Sequence, residues 1–260
     1  MTMYNLTTDQ RVDKALANDF LRQATRRATD RLRTKKYQAA DELGNWEDWR
    51  AAGEAIRKHV VANLDFYLNQ LIEQMEKRGV HVHLTKTPED AVSVVRKIVR
   101  EQDAKNVLKS KSMISEEIHL NHALEEDGVA AIETDLGEYI IQIAGEPPSH
   151  IIVPAMHKTR QQVADLFEPI AGHALSSDTP TLTRFVRKQM REKFLRGDIG
   201  ITGCNFAVAN TGSIVMVTNE GNGRMVSTLP RVQITLMGME RIVPSFRELD
   251  ILLNLLARSA

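Results

Sequence analysis

Cysteine is almost absent from this chain: Cys204 stands alone among 260 residues. That excludes an intrachain disulfide framework, and it excludes any cluster held by cysteines of this chain alone. Set in an apolar run, Cys204 reads as a buried packing residue. Aromatic residues make up only 5% of the chain. No apolar run reaches the ~18 residues of a transmembrane helix. The start, MTMYNLTTDQRVDKAL, lacks the basic opening and apolar centre of a secretion signal, so a cytoplasmic setting is expected. Excess charge of either sign is also missing, with 34 Lys+Arg against 34 Asp+Glu. Nothing therefore points to nucleic acid, and any electrostatic steering has to be local. Neither a Walker A loop nor a G-x-S-x-G elbow occurs, which leaves a P-loop nucleotide site and serine hydrolysis without support.

What is present is a globular composition, 42% hydrophobic and 26% charged. Thr8 to Lys36 carries a helical period through Val12, Leu16, Phe20, Ala24 and Ala28. From Asp9 to Lys36 nine Lys or Arg oppose four Asp, a net charge of five positive. A second long helix is expected from Trp46 to Lys77, stopped by Gly79. From Val80 the rhythm changes. Strands are expected at Val80–Leu84, Asn106–Ser110, Gly128–Thr134 and Ser149–Pro154, alternating with helices at Pro88–Gln102, Ser112–Glu126 and Thr159–Ile170. A basic helix comes next at Thr181–Arg196, then strands at Asn205–Ala209, Ile214–Thr218 and Arg231–Met237, and a last helix from Ser245. This alternation implies an α/β domain with a mostly parallel sheet. The final helix has no C-terminal cap signal, so a fragment of a longer protein is expected.

In open α/β sheets ligands bind where the strands end, close to helix N-termini. LKSKSMISEE places Lys109, Ser110, Lys111 and Ser112 at such an end. A second end supplies Glu133 and Asp135, each able to act as a base, to bind a hydroxyl or to cap a helix. The bare turns Asn210, Thr211, Gly212, Ser213 and Glu220, Gly221, Gly223, Arg224 add small residues and a guanidinium. Together these fourteen positions outline a site for a small carboxylate or other anion; no catalytic residue is assigned. GNGRMV has two glycines of a dinucleotide fingerprint but not the third, and the LPRVQITL after it does not read as the required helix. Glu116 and His119 share an E-x-x-H spacing, with His122 nearby, and His81 and His83 share a strand face. Neither set repeats as a bundle metal site requires, and no metal is expected in this chain.

Two long blocks carry a family likeness: KSKSMISEEIHLNHALEEDGVAAIETDLGEYIIQIAGEPPSHIIVPAMHKTRQQVADLF and NTGSIVMVTNEGNGRMVSTLPRVQITLMGMERIVPS. They resemble the lactate utilization protein B family, iron–sulfur proteins with a LUD domain. The resemblance implies a core similar to the sugar-isomerase and CoA-transferase α/β fold. Residues 1–78 would be an N-terminal helical extension and residues 79–260 the LUD α/β domain. It also implies a part in oxidising L-lactate to pyruvate, as an electron-carrying cytoplasmic component working with two other lactate-utilization proteins of the same operon, of A and C type. Family members carry 4Fe–4S clusters in a C-terminal ferredoxin-like region whose cysteines this chain lacks. No cofactor is therefore expected in the chain itself. Two other roles stay open: a stand-alone isomerase- or transferase-like enzyme on a phosphorylated or acyl substrate, and a non-catalytic assembly module.

Overall fold

Short polar side chains decide where the N-terminal helices begin and break. The computed structural model of the chain describes residues 7–146, 148–149 and 153–259. Thr7 opens α1 (Thr8–Leu16) with a reciprocal capping box to Gln10. The expected single helix then stops, because Asn18 accepts from the Leu21 amide at 3.0 Å and starts α2 (Asp19–Leu43) afresh. The second expected helix is divided too, into α3 (Trp46–Ala62) and α4 (Leu64–Glu76). At the break, Asn63 turns its side chain back onto the His59 carbonyl at 2.8 Å. Val80–Leu84 joins no sheet of the fold. Its alternation reflects one partly buried side chain, Val82, which packs against the core around Leu71 and Ile242, with no strand partner among the described residues.

From Thr87 the chain winds a parallel sheet. Thr87 caps α5 (Pro88–Glu101), and β1 (Asn106–Lys109) comes after it. The helix expected from Ser112 to Glu126 is interrupted at His119, whose φ of 53° separates α6 (Met113–Glu117) from α7 (Leu120–Glu126). Next come β2 (Ala130–Glu133) and α8 (Leu136–Ala144). Half of the strand expected at Ser149–Pro154, residues 150–152, lies outside the described residues. Then α9 (Arg160–Ala171) and α10 (Thr179–Arg196) lead into β3 (Ile199–Thr202). β4 (Phe206–Val208) and β5 (Ser213–Val215) form the expected hairpin, in a shortened version. Of the segment read as a bare turn before Arg224, residues 219–221 do bend, while Asn222 and Gly223 already belong to a helix, α11 (Asn222–Thr228), with Gly221 at its N-cap. β6 (Val232–Thr235), β7 (Ile242–Val243) and α12 (Phe246–Ser259) complete the chain.

The main sheet has four strands in the order β2-β1-β3-β6, all parallel. The central strand β3 was not anticipated. Its four residues lie between Gly197 and Gly203 and include Gly200, so the sequence there reads as turn. All four are buried. At Gly200 a side chain would run into the Val226 carbonyl, so the missing Cβ lets α11 lie directly on the sheet. One face of the sheet packs Val107, Ala131, Ile199 and Ile201 against α5 and α7. The other packs Leu108 and Ile132 against α8, α9, α10 and Val226 of α11. Helices on both faces of a parallel sheet are the α/β class expected.

A second sheet, β5-β4-β7, has a core on each side. Val60, Leu71 and Met75 of α3 and α4 cover Ala207 and Ile242. Leu249 and Leu252 of α12 cover Phe206, Val208 and Val243. At Gly53 of α3 a Cβ would meet Leu255 at 2.5 Å, so α12 crosses α3 closely.

Candidate functional site

The chain runs from β1 to β2 on one side and returns to β3 on the other side of β1. The ends of β1 and β3 therefore flank the point where the winding reverses, the usual crevice of such sheets. Ser110 continues β1 there and donates its amide to Ile201 at 3.0 Å. Gly203 leaves β3 close to Ser112, where a Cβ would approach the hydroxyl oxygen to 2.9 Å.

Strand alternation places the first pair of charges. Val107 faces α5 and α7, so Lys109, two residues on, points the same way; Glu133 does so after Ala131. The two meet at 2.7 Å with side chains only 1% and 5% exposed. Asn121 of α7 joins them, accepting from the Lys109 ammonium and donating to Glu133 Oε1 at 2.8 Å. Lys109 is thus consumed inside the fold. It holds the ends of β1 and β2 together and is not free to meet an anion. Thr134 donates to the Lys109 carbonyl at 2.7 Å and accepts from Asn222 of α11 at 3.3 Å, tying that helix to the same edge.

A second group of charges lies at the same edge. Lys111 Nζ stands 3.9 Å from Glu138 Oε1, with side chains 23% and 7% exposed. Burial, then repulsion from Glu116, Glu133 and Asp135, pushes the Glu138 carboxyl up to about 7, against the pull of Lys111. Glu116 is raised by burial and by Glu133, and Glu220 by burial and by Asp135. Lys109 and then Lys111 lower Glu116, and Lys111 lowers Glu220, so the Lys111 ammonium acts on all three carboxyls at this edge. Asp135 itself caps α8, accepting from the Gly137 and Glu138 amides at 2.9 and 3.1 Å. Ser112 likewise caps α6, accepting from the Ser115 amide.

The structure therefore brings together Lys109, Ser110, Lys111, Ser112, Glu133, Asp135 and Glu220, with α11 and its Gly221 and Gly223 alongside. Gly223 fits because a Cβ there would meet Thr218 at 2.5 Å. The turn Asn210, Thr211, Gly212, Ser213 packs elsewhere. A Cβ on Gly212 would meet the α4 backbone at Gln74 and Met75, and the Asn210 amide donates to Pro244. Those four residues support the small sheet. Arg224 is exposed on α11 and forms no ion pair among the described residues. Missing from the sequence-based set is Glu138. Its signal was present: Asp135 and Glu138 have the D-x-x-E spacing of a helix start, and a Glu there lies beside the strand end whether or not it caps. Asn121 and Asn222 gave no such signal, because they reach the site only through the packing of α7 and α11.

His119 and His122 line a separate groove of about 690 Å³ with Val92, Arg96 and Ile118, between α5 and α7. Among the described residues no group of three or more His, Cys, Asp or Glu is placed to hold a metal ion. A cysteine-ligated cluster does not fit these residues either. Cys204 is buried, its Sγ donates to the Phe206 carbonyl at 3.0 Å, and burial pushes its thiol up to about 11. Among the described residues no helix is long and apolar enough to cross a membrane.

The model of the LUD domain matches residues 68–260. The chain is 54% identical over 252 residues, 97% of its length, to lactate utilization protein B 2 of Bacillus mycoides KBAB4. It has the same identity over the same span to lactate utilization protein B of Bacillus thuringiensis Al Hakam and of Bacillus anthracis CDC 684. The alignment takes in 53% of each of these proteins, so the chain spans about half the length of the curated relatives it matches. No solved structure matches it.

Proposed function

The chain belongs to the LUD-domain family, and on that premise we propose that it serves lactate utilization as the LUD portion of a cytoplasmic protein that helps oxidise L-lactate to pyruvate. The observation that carries this reading is the 54% identity along nearly the whole chain to proteins named for lactate utilization. Two further lactate-utilization proteins, of A and C type, would be its partners. Iron–sulfur clusters would lie outside the described residues and would take up the electrons.

In this reading the Lys111–Glu138 edge binds the carboxylate of a small hydroxy or keto acid. With Glu116, Glu138 and Glu220 all ionised the edge would repel an anion. Burial raises all three toward the neutral form. A protonated Glu138 can donate a hydrogen bond to the incoming carboxylate while Lys111 supplies the positive charge. Binding then takes up a proton and weakens as pH rises through about 7.

The test is anaerobic. The natural full-length protein is mixed with its two partners, and lactate-dependent bleaching of the cluster absorbance is followed with and without Lys111→Ala. The reading expects bleaching that Lys111→Ala slows at least about tenfold through lost affinity. Absence of bleaching in the intact complex would overturn the lactate role. Bleaching indifferent to Lys111→Ala would overturn the site.

A further inference from the structure

The helix α10 is fixed to the body by Leu182, Val186, Met190 and Phe194, all buried at four-residue spacing. Its opposite face carries Arg184, Arg187, Lys188 and Arg191, all exposed. These fall at i, i+3, i+4 and i+7, so they form one stripe ~10 Å long at the helical rise. Among the described residues none of the four closes an ion pair, although the helix supplies Glu192 next to them and Asp178 at its cap acts on Arg184. Like charges at these spacings oppose the helix that displays them. The stripe begins beside a recess of about 470 Å³ lined by Thr179, Pro180, Thr183, Arg184 and Arg187. It ends at Leu195, 73% exposed.

We propose that this face of α10 docks an acidic, amphipathic helix of another protein. Its carboxylates would meet the cationic stripe in register, and its apolar residues would meet the recess and Leu195. Three of the four cations are arginines, whose planar forks pair bidentately with carboxylates. The stripe has no aromatic residue on which a base can stack, and the whole chain carries no net charge, which disfavours nucleic acid. One exposed leucine offers little to a lipid surface. The proposal does not depend on the lactate reading, since it uses none of the strand-end residues.

The probe is a synthetic helix with glutamates at i, i+3, i+4 and i+7, labelled for fluorescence anisotropy and titrated with the full chain. Controls are a peptide of the same composition with the glutamates off register, a DNA duplex, and vesicles of anionic phospholipid. The docking face predicts binding of the in-register helix about tenfold tighter than the scrambled one. Arg187→Glu/Arg191→Glu should abolish that preference. The same reversal on α2, Arg22→Glu/Arg26→Glu, should leave it intact. Circular dichroism confirms that both variants fold, and Arg187→Ala/Arg191→Ala should give an intermediate loss. Equal binding of the two peptides, tighter binding of DNA or vesicles, or self-association abolished by the α10 reversal would each overturn the proposal; the last would make the occupant a second copy of this chain.

Discussion

Lys109 and Glu133 are register partners in neighbouring parallel strands, and their charged atoms lie 2.7 Å apart where solvent barely reaches. Removing one partner leaves the other charge buried alone, whereas removing both leaves a neutral gap. Lys109→Met should therefore cost about 3–5 kcal/mol, and Lys109→Met/Glu133→Gln clearly less. Urea midpoints of the two single variants and the double variant decide it. Additive losses would show that the pair is not coupled.

Glu138 gives stability a pH dependence of defined sign. Its carboxyl is raised from 4.5 to about 7 in the folded chain, so the folded state holds a proton that the unfolded state has released. Stability from this group is present below about 4.5 and is lost as pH rises through about 7. Glu138→Gln should remove that slope and be more stable than the parent at pH ~8, by about 2–3 kcal/mol. Glu116 and Glu220 shift in the same direction and will leave a residual slope. Parallel stability profiles of parent and variant between pH ~5 and ~8 would refute the assignment.

Gly200 is a packing requirement. Gly200→Ala would press a methyl group onto the Val226 carbonyl of α11, a backbone atom that cannot rotate away. A loss of about 2 kcal/mol or more is expected. Hydrogen exchange should locate it in α11 and β3. A variant as stable as the parent would mean that α11 can lift from the sheet at little cost.

Cys204 should resist thiol reagents in the native chain. It is buried, and burial pushes its thiol up to about 11, so little thiolate exists at neutral pH. Labelling by a chromogenic disulfide should track global unfolding in urea. Fast labelling without denaturant would place the thiol at an accessible surface.

Much of this architecture could be read from periodicity. Pro88 with its following acids marked α5, and the apolar runs at Asn106, Gly128 and Arg231 marked three of the four parallel strands. The breaks at Asn18, Asn63 and His119 escaped because the apolar period continues across them, while an asparagine side chain bonds the backbone at the first two and a left-handed backbone turns the chain at His119. β3 and α11 escaped for a shared reason. Each is short and glycine-containing, and the two pack directly on each other across Gly200. The site divided along the same line. Lys111, Glu133 and Asp135 were legible because strand ends are predictable places. The turn at Asn210–Ser213 misled because a bare turn looks the same whether it faces a ligand or the α4 backbone.

The chain leaves the main sheet at Thr202 and rejoins its edge at Asn222, and the hairpin between them belongs to the other sheet. In topological terms Gly203–Gly221 is an inset. The order β2-β1-β3-β6 is complete without it, and the Lys109–Glu133 lock does not touch it. Changing the loop after β5, residues 216–221, can reshape the wall beside Lys111 while both sheets keep their strand pairs. A lineage built on this plan can change what it binds without having to refold.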